Sequence, residues 1–152
     1  MFIYRETRDI NDGILTYNES DKTINSIPKI NSDITFLIKY INIGFDSESK
    51  KATQVWGYHH NFNWISQSLT LPEITCGEVI MNKSVDPGES VRIPEAESWE
   101  SYIDFNTDWI RIGSAQGTGV RHIEFFTNTV LSIDHEGEIV GIWLKPEFIK
   151  ED

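Results

Sequence analysis

The sequence predicts a mainly β fold: an antiparallel β-sandwich or open barrel with one short α-helix. Short runs rich in Ile, Val and aromatic residues recur at close spacing, turn residues separate them, and a single segment has helical spacing. A chain of 152 residues suits one domain, and at that length roughly 68–70% of the extended chain's surface can be buried on folding. We therefore expect a single domain over residues 1–152.

The first half of the chain contains a hairpin and two longer strands. "GILTY" and "KTINSI" flank the polar turn "NESD", which predicts a hairpin. "DITFLIKYINIGF" (33–45) is apolar on both faces, as is typical of a central strand. In "WISQSLTL" (64–71) apolar and polar residues alternate, which predicts a strand with one solvated face that ends at Pro72.

Further short strands follow. "GEVIMNK" and "SVRIP" lie on either side of "DPGE", which has the composition of a tight turn. "WIRIG", the loop "SAQGTG" (114–119) and "VRHIEFF" come later, and "VLSID" and "IVGIWL" form a pair joined by "HEGE". Gly137 is placed to take the positive φ that this last hairpin turn needs.

One segment, "PEAESWESYID" (94–104), has the pattern of a helix. Pro94 can occupy the first helical position, and two glutamates follow in the first turn, where the helix dipole favours negative charge. Ala96, Trp99 and Ile103 recur at helical spacing. The pattern predicts an α-helix of two to three turns lying on the sheet.

The charge balance is strongly acidic. Asp and Glu number 24 against 13 Lys and Arg, which gives a formal net charge of −11 and a pI near 4.7. Such a surface repels phosphate backbones, so we expect no nucleic-acid partner. It attracts basic proteins and speeds their association. The same charge is also typical of proteins that need it for solubility alone.

The compartment we expect is the cytoplasm. "MFIYRETRDINDG" lacks a basic region followed by an apolar run, which predicts no signal peptide. No stretch approaches 18 apolar residues, so no membrane partner is expected. Cys76 is the lone cysteine and cannot form an internal disulfide, as is usual in a reducing cytosol.

The stretch "VWGYHHNFNW" (55–64) raises the question of a metal or catalytic site. His59 and His60 are neighbours, so on a strand they would point to opposite faces and could not share a metal ion. His122 and His135 lie far away, and Cys76 has no cysteine partner at a zinc-ligand spacing. We therefore predict no metal site and no cofactor.

Motifs of catalysis are also missing from the sequence. It contains no G-x-S-x-G elbow, and "SAQGTG" is followed by no lysine, so it does not fit a phosphate loop. Cys76 with a distant histidine would be a candidate dyad if the fold brought the two together. The sequence predicts that the protein is not an enzyme.

The same stretch could instead form a platform on which a sugar stacks. Trp56, Tyr58 and Trp64 share parity, so on one extended strand they would line one face, and Asn61 could supply a hydrogen bond. The alternative is a packed core, which is favoured because burying a large apolar side chain contributes roughly 1.5–3 kcal/mol. In that case His59 would be an outward or loop residue, like its neighbour His60.

A second group of residues suggests a protein interface. Carboxylates crowd around aromatic residues within fifteen positions, and such a surface could steer and anchor a basic partner. The predicted partner-binding residues are Glu95, Glu97, Trp99, Glu100, Tyr102, Asp104, Asp108 and Trp109. The alternative is a solvated helix face with its rings turned inward.

An acidic, β-rich chain of this size without catalytic motifs resembles the immunity proteins of bacterial polymorphic toxins, including contact-dependent growth inhibition systems. The segment 130–146 also resembles the D-x-x-G-x-[IV]-V-G-[IV] hairpin of several small bacterial proteins, with Asp134, Gly137 and Gly141 at its marked positions. The resemblance implies a protein that binds a cognate, basic toxin domain, for example a nuclease, and blocks its active or partner site. The alternative function is a carbohydrate or small-ligand binding β-sandwich.

Overall fold

The fold is a sandwich of two mixed β-sheets, seen in a computed structural model that describes residues 1–114 and 117–150. This confirms the mainly β sandwich expected from the sequence, and the described strands form no closed barrel. The strands are β1 (Phe2–Glu6), β2 (Ile14–Asn18), β3 (Thr23–Ile27), β4 (Ile34–Ile38), β5 (Ile41–Phe45), β6 (Ala52–Tyr58), β7 (Ile65–Ser66), β8 (Ile74–Met81), β9 (Ser90–Arg92), β10 (Ser101–Asp104), β11 (Trp109–Gly113), β12 (Arg121–Phe126), β13 (Thr129–Ile133), β14 (Ile139–Leu144) and β15 (Glu147–Ile149).

The strand orders show how the chain alternates between the sheets. The eight-stranded sheet has the order β1-β8-β12-β13-β14-β11-β10-β7, and the seven-stranded sheet has the order β15-β2-β3-β6-β5-β4-β9. Parallel pairing joins β7 to β10, β8 to β12, β4 to β9 and β2 to β15. The sheets are therefore mixed: antiparallel pairing, which the sequence predicted, is joined by these four parallel pairs.

The core lies between the two sheets and is built from Ile and Phe side chains. In β4 the burial alternates, so that Ile34, Phe36 and Ile38 point inward. Phe36 meets Phe2 of the opposite sheet and Phe45 of its own, each at a ring-centroid distance of 5.1 Å. Burial of such large apolar side chains is the main stabilising contribution in a domain of this size.

The two hairpins expected from turn composition are both present. β2 pairs with β3, and β13 pairs with β14 across the turn at Gly137, which has a φ of 80°. Gly137 also lies against the first strand, since its carbonyl accepts a 2.7 Å bond from the Phe2 N–H. A Cβ atom at Gly137 would lie 2.9 Å from the Phe2 carbonyl oxygen, so both the φ and the contact favour glycine here.

The apolar run 33–45 forms two strands, and the prediction of one central strand was wrong. The chain reverses at Lys39, whose φ is 57°, and β4 then pairs with β5 from Ile38 opposite Ile41. This turn carries neither Gly nor Asn, the residues that normally mark a left-handed position. The hairpin is stabilised because it buries apolar residues of both strands in one core.

The predicted strand at 64–71 is also mostly absent. Only Ile65–Ser66 is a strand, and the connection to β8 lies on the outer face of the eight-stranded sheet. There Leu69 and Ile74 pack against Val130 and Trp143, which form a small cluster separate from the main core. Of the apolar residues in the alternating pattern, Leu69 packs in this cluster, while Ile65 and Leu71 are exposed.

The predicted α-helix over 94–104 is replaced by a short 3-10 helix and a strand. The 3-10 helix spans Pro94–Ser98, and Trp99 is already extended, with φ −72° and ψ 139°. Pairing of β10 with β11 explains the difference, because ladder hydrogen bonds and the burial of Ile103 outweigh the helical spacing. Within the described residues no helix is long and apolar enough to cross a membrane.

The loop predicted at 114–119 lies between β11 and β12. Residues 115 and 116 of that loop lie outside the described part of the chain.

Candidate functional site

Two connections between the sheets converge at one end of the sandwich and form a cleft of about 510 Å³. Residues 59–64 carry the chain from β6 to β7, and residues 93–100 carry it from β9 to β10. Each connection contains part of a stretch that the sequence singled out, the first from the histidine-rich aromatic stretch and the second from the acidic one. The residues lining the cleft are Lys39, Tyr40, Tyr58, His59, His60, Asn63, Ile65, Glu97, Ser98, Trp99, Glu100 and Ser101.

His59 lines the cleft and links the two sheets through a side-chain hydrogen bond. Its side chain is only 7% exposed, and its Nε2 atom lies 2.8 Å from the Ser101 hydroxyl at the start of β10. Its carbonyl oxygen accepts a 2.7 Å hydrogen bond from the buried Tyr17 hydroxyl. His59 was expected to be an outward or loop residue. It does lie in the connection after β6, but its side chain is buried, because Ser101 supplies a buried polar partner.

The His59–Ser101 pair resembles the first two members of a catalytic triad, and its electrostatics argue against that role. Burial lowers the pKa of His59 from 6.5 to about 4, with further contributions from the nearby charges of Lys39 and His60. An imidazole with so low a pKa is a weak base near neutral pH. No carboxylate in the described part of the chain hydrogen-bonds to His59 to orient it. The pair is therefore best understood as a structural link.

Four rings form a ladder along one wall of the cleft and onto the surface beside it. The ring ladder consists of Tyr40, Tyr58, His60 and Phe62, with successive centroid distances of 6.3, 6.3 and 5.3 Å. The ring of His59 stacks beside that of His60 at an interplanar angle of 20°, so the two histidines do not point to opposite faces. Phe62 is 78% exposed at the end of the ladder.

The predicted sugar platform is not formed as a single row. The chain leaves β6 after Tyr58, so Trp64 follows in a connection and packs on Tyr17 at 5.2 Å. Trp56 lies over Gly44, where an added Cβ atom would be 2.7 Å from the Trp56 ring. Of the predicted set Trp56, Tyr58, Asn61 and Trp64, the cleft is lined by Tyr58.

Half of the predicted partner-binding set gathers at or beside the cleft. Glu97, Trp99 and Glu100 line it, and Glu95 is exposed on the 3-10 helix next to them. Glu97 pairs with Arg92 at 2.9 Å, which leaves Glu100 as the cleft carboxylate without a cation within salt-bridge distance among the described residues.

The other predicted partner-binding residues lie farther along the β10–β11 hairpin: Tyr102, Asp104, Asp108 and Trp109. Asp104 is buried and accepts bonds from the backbone N–H groups of Leu69 and Asn106, both at 3.0 Å. These bonds, with that of Leu69 contributing most, lower the pKa of the Asp104 carboxyl. Asp104 therefore supports the loop and the outer connection, and it does not present charge to a partner. Asp108 is exposed in the turn, and Trp109 is half-buried.

The Cys76–histidine dyad considered from the sequence is not assembled. The Cys76 sulfur contacts Glu124 at 3.5 Å, and the nearby His122 bonds to Ser132 instead. Burial, and then the contact with Glu124, raises the pKa of the thiol, which disfavours the reactive thiolate. Within residues 1–114 and 117–150 no three His, Cys, Asp or Glu side chains are placed to hold a metal ion.

Comparisons with protein-family models and with curated proteins give no match to this chain.

Proposed function

We propose that this chain is a binding protein of the immunity type, which docks a positively charged toxin domain on the cleft and its ring ladder. The observation that carries the proposal is the convergence of exposed aromatic rings and carboxylates from two separate connections at one end of the sandwich. Docking there would occlude the active or partner site of the toxin, without a cofactor and without a chemical step.

The rings supply the contact area that the proposal needs. Tyr40, Tyr58 and Phe62 are exposed, although rings of this size are normally buried in a core. Exposed aromatic residues grouped in one patch are typical anchors of protein interfaces. The His59–Ser101 bond and the stacking of His60 on Phe62 hold the patch in place, which reduces the entropy lost on binding.

The charges supply steering and partner choice. With a net charge of −11, the molecule attracts a basic protein from a distance, and Glu97 and Glu100 place carboxylates beside the rings. The ion pair between Glu97 and Arg92 is about half exposed, so opening it for a partner costs little.

Co-purification with the protein encoded by the neighbouring reading frame tests the proposal. A tagged form of this chain should retain a basic neighbour protein through extensive washing, and mixing the two should suppress the neighbour's toxic activity. A genomic neighbourhood that encodes no toxin, or a neighbour protein that fails to bind, would count against the proposal.

Reversing the charge of Glu97 and Glu100 to Lys should slow association with that partner about tenfold at low salt, because electrostatic steering is lost. Stopped-flow or biosensor measurement of the association rate at two salt concentrations checks this. The matched control reverses Glu48 and Glu136, which are exposed, lie outside the cleft and give the same change in net charge. Equal slowing in both double variants would show that total charge matters and that the interface lies elsewhere.

The second candidate function is binding of a carbohydrate or another small ligand in the same cleft. Its volume falls in the range of ligand sites, roughly 300–1,000 Å³. The Nδ1 atom of His60 is buried and has no hydrogen-bond partner within the described residues, so a ligand hydroxyl could satisfy it. Tyr58 offers an adjacent ring for stacking.

Titration with a glycan panel separates the two candidates. A ligand in the cleft should change tryptophan fluorescence saturably, because Trp99 lines it, and Tyr58→Ala should weaken that binding about tenfold. Asn61→Ala, outside the cleft, is the control. A panel without any saturable response would leave protein binding as the function of the cleft.

A further inference from the structure

A buried arginine without an anionic partner lies on the outer face of the eight-stranded sheet. Arg111, in the middle of β11, is 8% exposed. Its Nε atom has no hydrogen-bond partner among residues 1–114 and 117–150, and no described carboxylate lies within salt-bridge distance of it. Its guanidinium carbon lies 4.4 Å from the Tyr102 ring centroid and 5.9 Å from that of Trp143.

Such a group is costly to bury unless something pairs with it. Cation–π contacts with Tyr102 and Trp143 offset part of the cost, and they leave the buried Nε–H donor without a partner among the described residues. A buried charge is normally paired and hydrogen-bonded, because the lost hydration is worth several kcal/mol.

Arg111 lines a hollow of about 330 Å³. Its walls include Ser98, Tyr102, Gly113 and Ser114, and Glu100 also borders it. The hollow shares residues 98–100 with the cleft, so this short segment separates the two concave sites.

We propose that this hollow binds a carboxylate group, which Arg111 holds with its guanidinium donors. The planar fork of arginine matches a planar carboxylate through two parallel hydrogen bonds. Phosphate fits less well, because Glu100 and the net charge of −11 repel its second negative charge. Among the described residues that line the hollow, Arg111 is the one cation. This carboxylate site is independent of the proposed function, since it concerns a cationic hollow outside the cleft on a molecule of net charge −11.

Nuclear magnetic resonance of the ¹⁵N-labelled protein tests the carboxylate site. The Nε–Hε signal of Arg111, assigned by its loss in Arg111→Lys, is followed during titration with acetate, succinate and inorganic phosphate at constant ionic strength. We expect a saturable shift with the carboxylates and binding of phosphate at least about tenfold weaker. Arg111→Lys keeps the charge and lacks the fork, so it should weaken carboxylate binding about tenfold, read from the Gly113 amide.

Titration with peptides identifies whether the bound carboxylate belongs to a protein terminus or to a small molecule. A short acetylated peptide with a free C-terminus is compared with its amidated form and with acetate. Binding of the free-acid peptide about tenfold tighter than acetate would assign the site to a protein terminus, and equal binding would assign it to small carboxylates. Either outcome supports a carboxylate site, provided that the amidated peptide does not bind.

The neutral variant Glu100→Gln gives an independent readout that does not require Arg111 to be changed. Removing the neighbouring negative charge should tighten carboxylate binding severalfold. The proposal is overturned if no carboxylate gives a saturable shift, if phosphate or chloride binds as well as acetate, or if Arg111→Lys binds acetate unchanged.

Discussion

Phe36→Ala is expected to lower the free energy of unfolding by about 3–5 kcal/mol. Phe36 is 1% exposed, and its ring bridges the sheets by meeting Phe2 and Phe45 at 5.1 Å. Alanine there removes the transfer free energy of the ring and leaves a cavity at the centre of the aromatic cluster, which rigid β-strands fill poorly. Urea unfolding followed by tryptophan fluorescence measures the change.

Phe62→Ala is the matched control for that change. The same atoms are removed from a ring that is 78% exposed, so the free energy of unfolding should change by no more than about 0.5 kcal/mol. Equal losses in the two variants would contradict the assignment of Phe36 to the core and of Phe62 to the surface ladder.

The second large effect is a loss of stability in mild acid that depends on His59. Its pKa is lowered from 6.5 to about 4 by burial, so below pH 6.5 the unfolded chain binds a proton that the folded chain does not. The contribution of His59 to the free energy of unfolding is fully present above pH 6.5. It decreases as the pH falls towards 4, by roughly 3 kcal/mol in total. Unfolding in urea at a series of pH values from 7.5 to 4.5 measures this loss.

His59→Gln isolates that contribution. Glutamine keeps a side-chain amide near Ser101 and cannot titrate, so its stability should change less between pH 7.5 and 4.5 by roughly 2–3 kcal/mol. His122→Gln is the control, because burial lowers the pKa of His122 too, although that side chain is only half-buried. Parallel pH profiles for the natural protein and His59→Gln would show that other groups cause the acid sensitivity.

Local sequence patterns predicted those parts of the fold that local interactions determine. The β2–β3 hairpin and the β13–β14 hairpin follow from turn composition, with Gly137 at the left-handed position where it was expected. The turn at Lys39 was missed because a lysine adopts a left-handed φ without leaving a compositional mark. The helix over 94–104 was predicted from spacing alone, while Ser101–Asp104 pairs with a strand that begins five residues later.

The candidate site could be predicted only in pieces. The sequence singled out the stretches that contain Tyr58, His60, Glu97 and Glu100, which line the cleft, because unusual composition is visible locally. It could not indicate that the two stretches face each other, since that depends on the order of strands in two sheets. The burial of His59 was unpredictable for the same reason, because its partner Ser101 is 42 positions away. Arg111 carried no signal in the sequence, because its lack of a partner is a property of the packed sheet.

The alternation of the chain between the sheets has a consequence for folding. Neither sheet is built from contiguous sequence, and the parallel ladders join strands such as β8 and β12, whose paired residues Ile74 and His122 are 48 positions apart. Neither sheet can be completed before strands of the other sheet have formed, so neither sheet should fold independently. Assembly should accordingly be slow, on a scale of milliseconds to seconds, and dissolution of the native state should be all-or-none.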